Sequence, residues 1–231
     1  MFRYAVLGII GLAGNAWAQQ ASPQAEAPAA LSSPAALQSS AAISMEEPLP
    51  GDHWTYEVRD EIIGTISATR QNIVTDVTPT QVNTRVETVG KPNAGNIVFD
   101  RSWNMTVSGP WKFSPNDGSG IQLPLSVGKT WNFQCDEVDA ANANIWKRAG
   151  KSTIVGRESV TTKAGTFETF KIETSYSTRN VKDPTRKAEV TLQIWYATAI
   201  DHWVKRTFAS RVNNLLTTNN TIELVEYGRK Q

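Results

Sequence analysis

Along most of the chain, apolar and polar side chains alternate one for one. "NIVFDRSWNMTV" sets Ile97, Phe99, Arg101, Trp103, Met105 and Val107 on one face, with polar residues mostly opposite. "FKIETSYST" alternates through Phe170, Ile172, Thr174 and Tyr176, and "EVTLQIWYA" through Val190, Leu192, Ile194 and Tyr196. Period two is the signature of an extended strand, and the Val, Ile, Thr and aromatic content suits a half-buried pleated surface. No window of helical length carries a 3.6-residue stripe. The nearest, "CDEVDAANANIWKRAG", is rich in Asn and Asp, which compete with helical hydrogen bonding.

Turn-forming clusters punctuate the alternation: "GKPNAG" at 90–95, "SPNDGSG" at 114–120, "TKAGT" at 162–166 and "VKDPTRK" at 181–187. Their spacing predicts roughly nine to eleven strands. Short turns between neighbours favour an all-β fold, a curved and mainly antiparallel meander forming a barrel or half-barrel. A two-sheet β-sandwich is the alternative.

The beginning of the chain departs from this pattern. Arg3 precedes the short apolar run "YAVLGIIGLAG", and Ala16-Trp17-Ala18 offers small residues where a signal peptidase reads them. Residues 1–18 are therefore expected to be a signal peptide cleaved after Ala18, and the protein to be periplasmic or secreted. The run is too short to span a bilayer, so no transmembrane segment is expected in the mature chain. No cysteine at the cleavage point indicates a lipid anchor. Residues 19–50, rich in Ala, Ser, Pro and Gln and without aromatics, bury too little apolar surface to offset ordering and are expected to form a disordered tether. Residues 51–231 then make a single β-rich domain large enough for its own core.

Charge narrows the partners. The formal net charge is +1, which gives no reason to expect nucleic acid or another polyanion. The single cysteine, Cys135, cannot form an internal disulfide, and its alternation with Trp131 and Phe133 places it with the buried rings.

Candidate chemistry is sparse. Gly128-Lys129-Thr130 lacks the upstream glycine of a phosphate-binding loop, Leu123 standing there, and runs into a strand rather than a helix. No G-x-S-x-G elbow is present, and the two histidines, His53 and His202, offer few bases. Of the acidic residues Asp136, Glu137 and Asp139, those at 137 and 139 share one strand face and could bind calcium or serve as paired carboxylates, although a solvated rim is the simpler reading. Lys147, Arg148, Lys151, Arg179, Lys182, Arg186 and Lys187, with Trp146 and Tyr176 nearby, could meet an anionic glycan or lipid headgroup, against the simpler reading of a solvated strand edge. On balance no metal and no cofactor are expected.

Both histidines sit in an Asp-His-Trp tripeptide, at 52–54 and 201–203. In the first copy, Trp54, Tyr56 and Val58 share the core face, leaving His53 outward. In the second, His202, Val204, Arg206 and Phe208 oppose Trp203, Lys205 and Thr207, and the alternation does not choose between them. The copies read as two strand starts, each led by an Asp and anchored by a Trp, since two histidines alone do not complete a metal site.

Tryptophan is the unusual signal. Trp54, Trp103 and Trp131 alternate with apolar residues and read as core. Trp111 and Phe113 in "SGPWKFSPNDG", with Trp195 and Trp203, are the candidate ligand-binding residues, aromatics that could border the interior of a barrel and take a lipophilic small molecule.

Four stretches together resemble an uncharacterised, TapB-type family of exported bacterial β-domains: "GDHWTY" from Gly51, "PLSVGKTW" from Pro124, "VTTKAGTFETFKI" from Val160 and "WYATAIDHWVKR" from Trp195. Lys163 and Thr198 stand where that family usually has proline, and Asp201 where glycine is common. The resemblance implies the fold and export, treats both histidine positions as variable, and carries no catalytic residues. The expected function is thus a non-enzymatic exported β-domain that binds an envelope partner (a protein or glycan) or an apolar ligand on a concave aromatic face. The alternatives are a purely structural envelope or assembly component and a hydrolase using the acidic cluster with one histidine.

Overall fold

The computed structural model describes residues 45–229; the expected signal peptide and residues 19–44 of the expected tether lie outside them. Twelve strands follow one another: β1 (His53–Asp60), β2 (Thr65–Val77), β3 (Gln81–Thr88), β4 (Gly95–Asp100), β5 (Met105–Ser108), β6 (Trp111–Ser114), β7 (Thr130–Asp139), β8 (Asn144–Thr162), β9 (Gly165–Asn180), β10 (Lys187–Ala197), β11 (His202–Val212) and β12 (Leu215–Gly228). Each strand pairs antiparallel with its neighbour in sequence, and β12 returns to β1, closing the barrel. The seam runs from His53 opposite Gly228 to Asp60 opposite Asn220. Closure leaves no edge strand to be solvated or protected, which a sandwich would have had to do.

Twelve strands exceed the nine to eleven expected, and the run 97–107 shows why. Its single alternating face is broken after Asp100, whose carboxylate oxygen Oδ1 accepts the backbone N–H groups of Ser102 and Asn104 at 2.9 and 3.0 Å. Trp103 lies in this turn with φ of 60°, and the chain reverses from β4 into β5. An aspartate capping its own turn accounts for the reversal, and the alternation on either side hid it.

Antiparallel succession puts the connections 78–80, 101–104, 115–129, 163–164 and 198–201 at one end with residues 45–52. The hairpin turns 61–64, 89–94, 109–110, 140–143, 181–186 and 213–214 lie at the other. The first end is plugged. Ile121 of the long 115–129 connection is buried in the core, and its N–H donates to Ser102 O at 2.6 Å. Lys129 Nζ donates to the carbonyls of Gln122, Leu123 and Pro124, tying the returning limb.

Residues 45–50 lie on this plug rather than extending away as tether. Met45 is fully buried in the main core cluster, and its N–H donates to Ala199 O at 2.9 Å. One apolar side chain after an Ala/Ser run has no periodicity to signal it.

Along the wall, register shifts leave Ser67 and Thr75 of β2, Thr106 of β5, Val155 of β8, Val204 of β11, and Thr217 and Val225 of β12 unpaired, each a point where the sheet bends. Gly150 of β8 is required by what faces it: a Cβ there would lie 2.7 Å from the Phe133 ring and 2.4 Å from Tyr176 Cβ. Its absence lets Phe133 and Tyr176 meet edge to face across β8, ring centroids 6.2 Å apart.

Candidate functional site: the barrel lumen

Inward-facing residues of β1–β5 and β10–β12, with Ser119–Ile121 of the plug, enclose a cavity of about 120 Å³. Val58, Ile97, Phe99, Met105, Ile121, Ile194 and Ile222 make its wall predominantly apolar. Tyr56, Arg70, Asn72, Ser119 and Arg206 supply the polar groups, with Trp103 and Trp203 toward the plug. No aspartate or glutamate lines it.

Arg206 stands opposite Ile194 on one side and Ile222 on the other, projecting into the lumen from β11. Its guanidinium carbon lies 5.8 Å from the Trp203 ring centroid. Its Nε, like that of Arg148, is buried and has no hydrogen-bond partner among the described residues. Burial, with Arg148 adding to it, holds this guanidinium below the ordinary arginine range against the opposing pull of Asp117 and two tyrosines.

The second lumenal arginine is arranged in the opposite way. Arg148 of β8 pairs with Glu137 of β7, lies 3.6 Å from Asp117, and stacks over Tyr176 and Phe113 at 4.4 and 5.3 Å. Asp117 is itself held, accepting the Met105 N–H at 2.8 Å. Burial raises the Glu137 carboxyl above its usual range despite the arginine beside it. Arg148 is thus a compensated structural charge. Arg206 is not.

The plug beneath the cavity unites the two Asp-His-Trp copies. Both tripeptides begin strands, β1 at His53 and β11 at His202. His202 is buried among Trp54, Trp103 and Trp203, with ring centroids 4.2, 4.6 and 3.7 Å away. Its Nδ1 accepts the Trp203 N–H at 3.0 Å, and burial pushes its pKa well below the ordinary value, so the ring is neutral. The Tyr56 hydroxyl donates to Trp203 O at 2.9 Å. His53 is half-buried at the seam, its ring beside Gly228. The arrangement is packing, and among the described residues no group of three or more His, Cys, Asp or Glu is placed to hold a metal.

Asp201 precedes His202 in the left-handed region, φ 44° and ψ 39°, a conformation that glycine adopts most readily. Burial raises its carboxyl to about 6, and the Tyr196 hydroxyl donates to it.

The acidic cluster does not assemble. Asp136 faces outward to Lys147 at 2.7 Å, Glu137 turns into the lumen against Arg148, and Asp139 caps the β7–β8 turn through Ala141 N–H and Asn142 Nδ2. Glu137 therefore departs from the solvated rim expected for it, because strand alternation at β7 carries it inside. The basic stretch is likewise divided: Arg148 points inward, while Arg186, in the β9–β10 turn, stacks over Trp146, which lies opposite Glu137 near the turn end of β8, at 5.1 Å.

The four candidate aromatics do not converge. Trp203 lines the cavity and stacks on Tyr56, centroids 6.0 Å apart. Phe113 lies in the lumen below Arg148, away from the cavity. Trp111 is half-buried at the first position of β6, opposite Asp139. Trp195 belongs to the outer wall, its Nε1 donating to Glu158 at 2.7 Å between the ammonium groups of Lys171 and Lys205. Arg206, which the sequence reading passed over, had one visible sign: an arginine between Val204 and Phe208 on a strand face whose orientation the alternation left open.

No family model and no curated protein sequence matches this chain. Solved structures do. A candidate lipoprotein from Parabacteroides distasonis is similar at a TM-score of 0.54 and 16% identity, over 80% of this chain and 99% of that one. A candidate exported protein with a YmcC-like fold from Bacteroides fragilis is similar at 0.53 and 16%, over 81% and 100%. These likenesses show that the fold is shared. The TapB-type name is not borne out by them.

Proposed function

We propose that this protein is an exported, non-catalytic binding module whose barrel lumen takes an apolar ligand. The observation that carries this reading is the cavity of about 120 Å³ with a mainly apolar wall. Apolar cavities of roughly 150 Å³ bind benzene or xenon, so this volume matches a ring or a short chain. The leader-like residues 1–18 support export, and the dispersal of the acidic cluster weighs against the hydrolase alternative. Native mass spectrometry and organic extraction of protein purified from its own host test the reading. A co-purifying apolar molecule is expected; its absence, together with no methyl shifts at Ile97, Ile194 or Ile222 on benzene titration, overturns it.

One further observation favours contact with a lipid surface of the envelope. Ile62, Ile63 and Ile66 of the β1–β2 hairpin and Val212, Leu215 and Leu216 of the β11–β12 hairpin are all exposed. The two hairpins adjoin through the Glu61 N–H, which donates to Asn219 O at 2.8 Å. Co-flotation with phospholipid vesicles, lost in Ile63→Ser/Leu215→Ser, is the expected result; no flotation of the unaltered protein counts against this contact.

A further inference from the structure

We propose that the lumen selects a compact amphiphilic anion, with a ring-sized apolar body against the isoleucine wall and one oxyanion on Arg206. This deepens the lumen-binding reading and rests on it. The inference stands on the contrast between the two lumenal arginines. Arg148 has Glu137 and Asp117 against it, as a charge removed from water requires. Nε of both arginines is buried without a hydrogen-bond partner among the described residues, but Arg206 forms no ion pair among them and its cavity has no acidic lining residue.

Arg70, opposite Tyr56 on β2, lines the same cavity from an exposed position and also forms no ion pair among the described residues. The lining of this part of the lumen therefore carries positive charge and no acidic side chain. A cavity built only for hydrocarbon would be better lined by leucine or methionine, which carry no desolvation penalty. The planar guanidinium fork fits a carboxylate or phosphate by two parallel hydrogen bonds, and Asn72 adds an amide donor on the same wall. The Trp203 ring beneath Arg206 gives the fork a face to rest on while its edge stays open to the ligand.

The volume limits the apolar body. About 120 Å³ admits an aromatic ring or a few methylenes, not a full-length acyl chain. The chemical class is an aromatic or short-chain carboxylate, or a similarly small organic phosphate.

The test is calorimetric titration of the full chain with sodium benzoate, benzyl alcohol and inorganic phosphate, paired with isoleucine-methyl NMR to locate binding. Benzoate is expected to bind at least about tenfold more tightly than benzyl alcohol, with shifts at Ile194 and Ile222 flanking Arg206. Arg206→Met is expected to erase that preference and Arg206→Lys to keep part of it. Equal affinity for benzoate and benzyl alcohol overturns anion selection while leaving the lumen-binding reading intact. Phosphate binding as strong as benzoate overturns the amphiphile in favour of a simple anion site. Failure of all three to shift the lumen methyls overturns both readings. If Arg206→Met does not fold, the comparison of the two ring compounds on the unaltered protein decides.

Discussion

Trp54 packs against His202 with ring centroids 4.2 Å apart and planes at 61°, so that the tryptophan of one Asp-His-Trp copy rests on the histidine of the other. The pair sits at the floor of the lumen, where β1 and β11 both begin and Trp103 closes the third side. The repeated tripeptide serves barrel closure.

His202 is accordingly expected to stay neutral well below the range in which histidines usually titrate. Burial depresses its pKa in the folded state, whereas the unfolded chain binds a proton below about pH 6.5. The unfolded state therefore binds more protons as the solution is acidified, and this group removes stability as pH falls below that value. NMR of the ring Cε1–H should show no titration of His202 between pH 8 and pH 5. Trp54→Ala should cost about 3–5 kcal/mol by denaturant melts, as loss of a fully buried indole does.

Asp201 has the opposite sign. Its carboxyl is raised to about 6 by burial, above the unfolded value, so the folded state binds more protons between about pH 4 and pH 6. Stability from this group falls as pH rises through that window, and the cost persists above it. Asp201→Asn keeps a side chain tolerated at positive φ and an acceptor for the Tyr196 hydroxyl. It should stabilise the protein by about 1 kcal/mol at pH 8, after allowance for partial exposure, and by nothing at pH 4. Thermal melts of both proteins across that range check it.

Asp52 holds the two ends of the domain together. Fully buried, it accepts Arg229 Nε at 2.8 Å and Nη2 at 2.9 Å, and the Leu49 N–H at 2.8 Å. Arg229 also donates to Glu47 O, so residues 47–52 and the end of β12 share one guanidinium. Asp52→Ala should cost about 2 kcal/mol, a fall in Tm of roughly 4–8 °C for a domain of this size. Hydrogen exchange should rise first at residues 45–52 and at the β1–β12 seam.

Cys135 should be inert in the folded protein. Its thiol is buried, and burial raises its pKa to about 12 despite Arg148 nearby. Iodoacetamide at pH 8 should label it only as fast as the domain opens, and stoichiometrically in denaturant. Rapid native labelling would contradict the burial.

Much of the domain was legible in the chain because strand alternation is a local property. Ile194 and Trp195 were assigned to opposite faces, and they are: the first lines the lumen and the second the outer wall. The clusters at 90–95, 162–166 and 181–187 fall at the β3–β4, β8–β9 and β9–β10 turns, and Gly128 turns the chain into β7 with φ of 89°. Alternation states which residues share a face; it does not state which face is inside when both carry apolar groups. The stretch 202–208 was ambiguous for that reason, and with it Arg206, which forms no ion pair among the described residues.

The sequence by itself determined an all-β chain, its turns and its periodicity, since these depend on residues adjacent along the backbone. Only the tertiary structure decided that β12 closes on β1, that Met45 joins the core, and that Trp54 meets His202. It also decided that Glu137 and Asp117 pair with Arg148, while Arg206 forms no ion pair among the described residues. Those outcomes depend on pairings between residues far apart in the chain, where burial and charge compensation are settled by the closed wall and not by any neighbour in sequence.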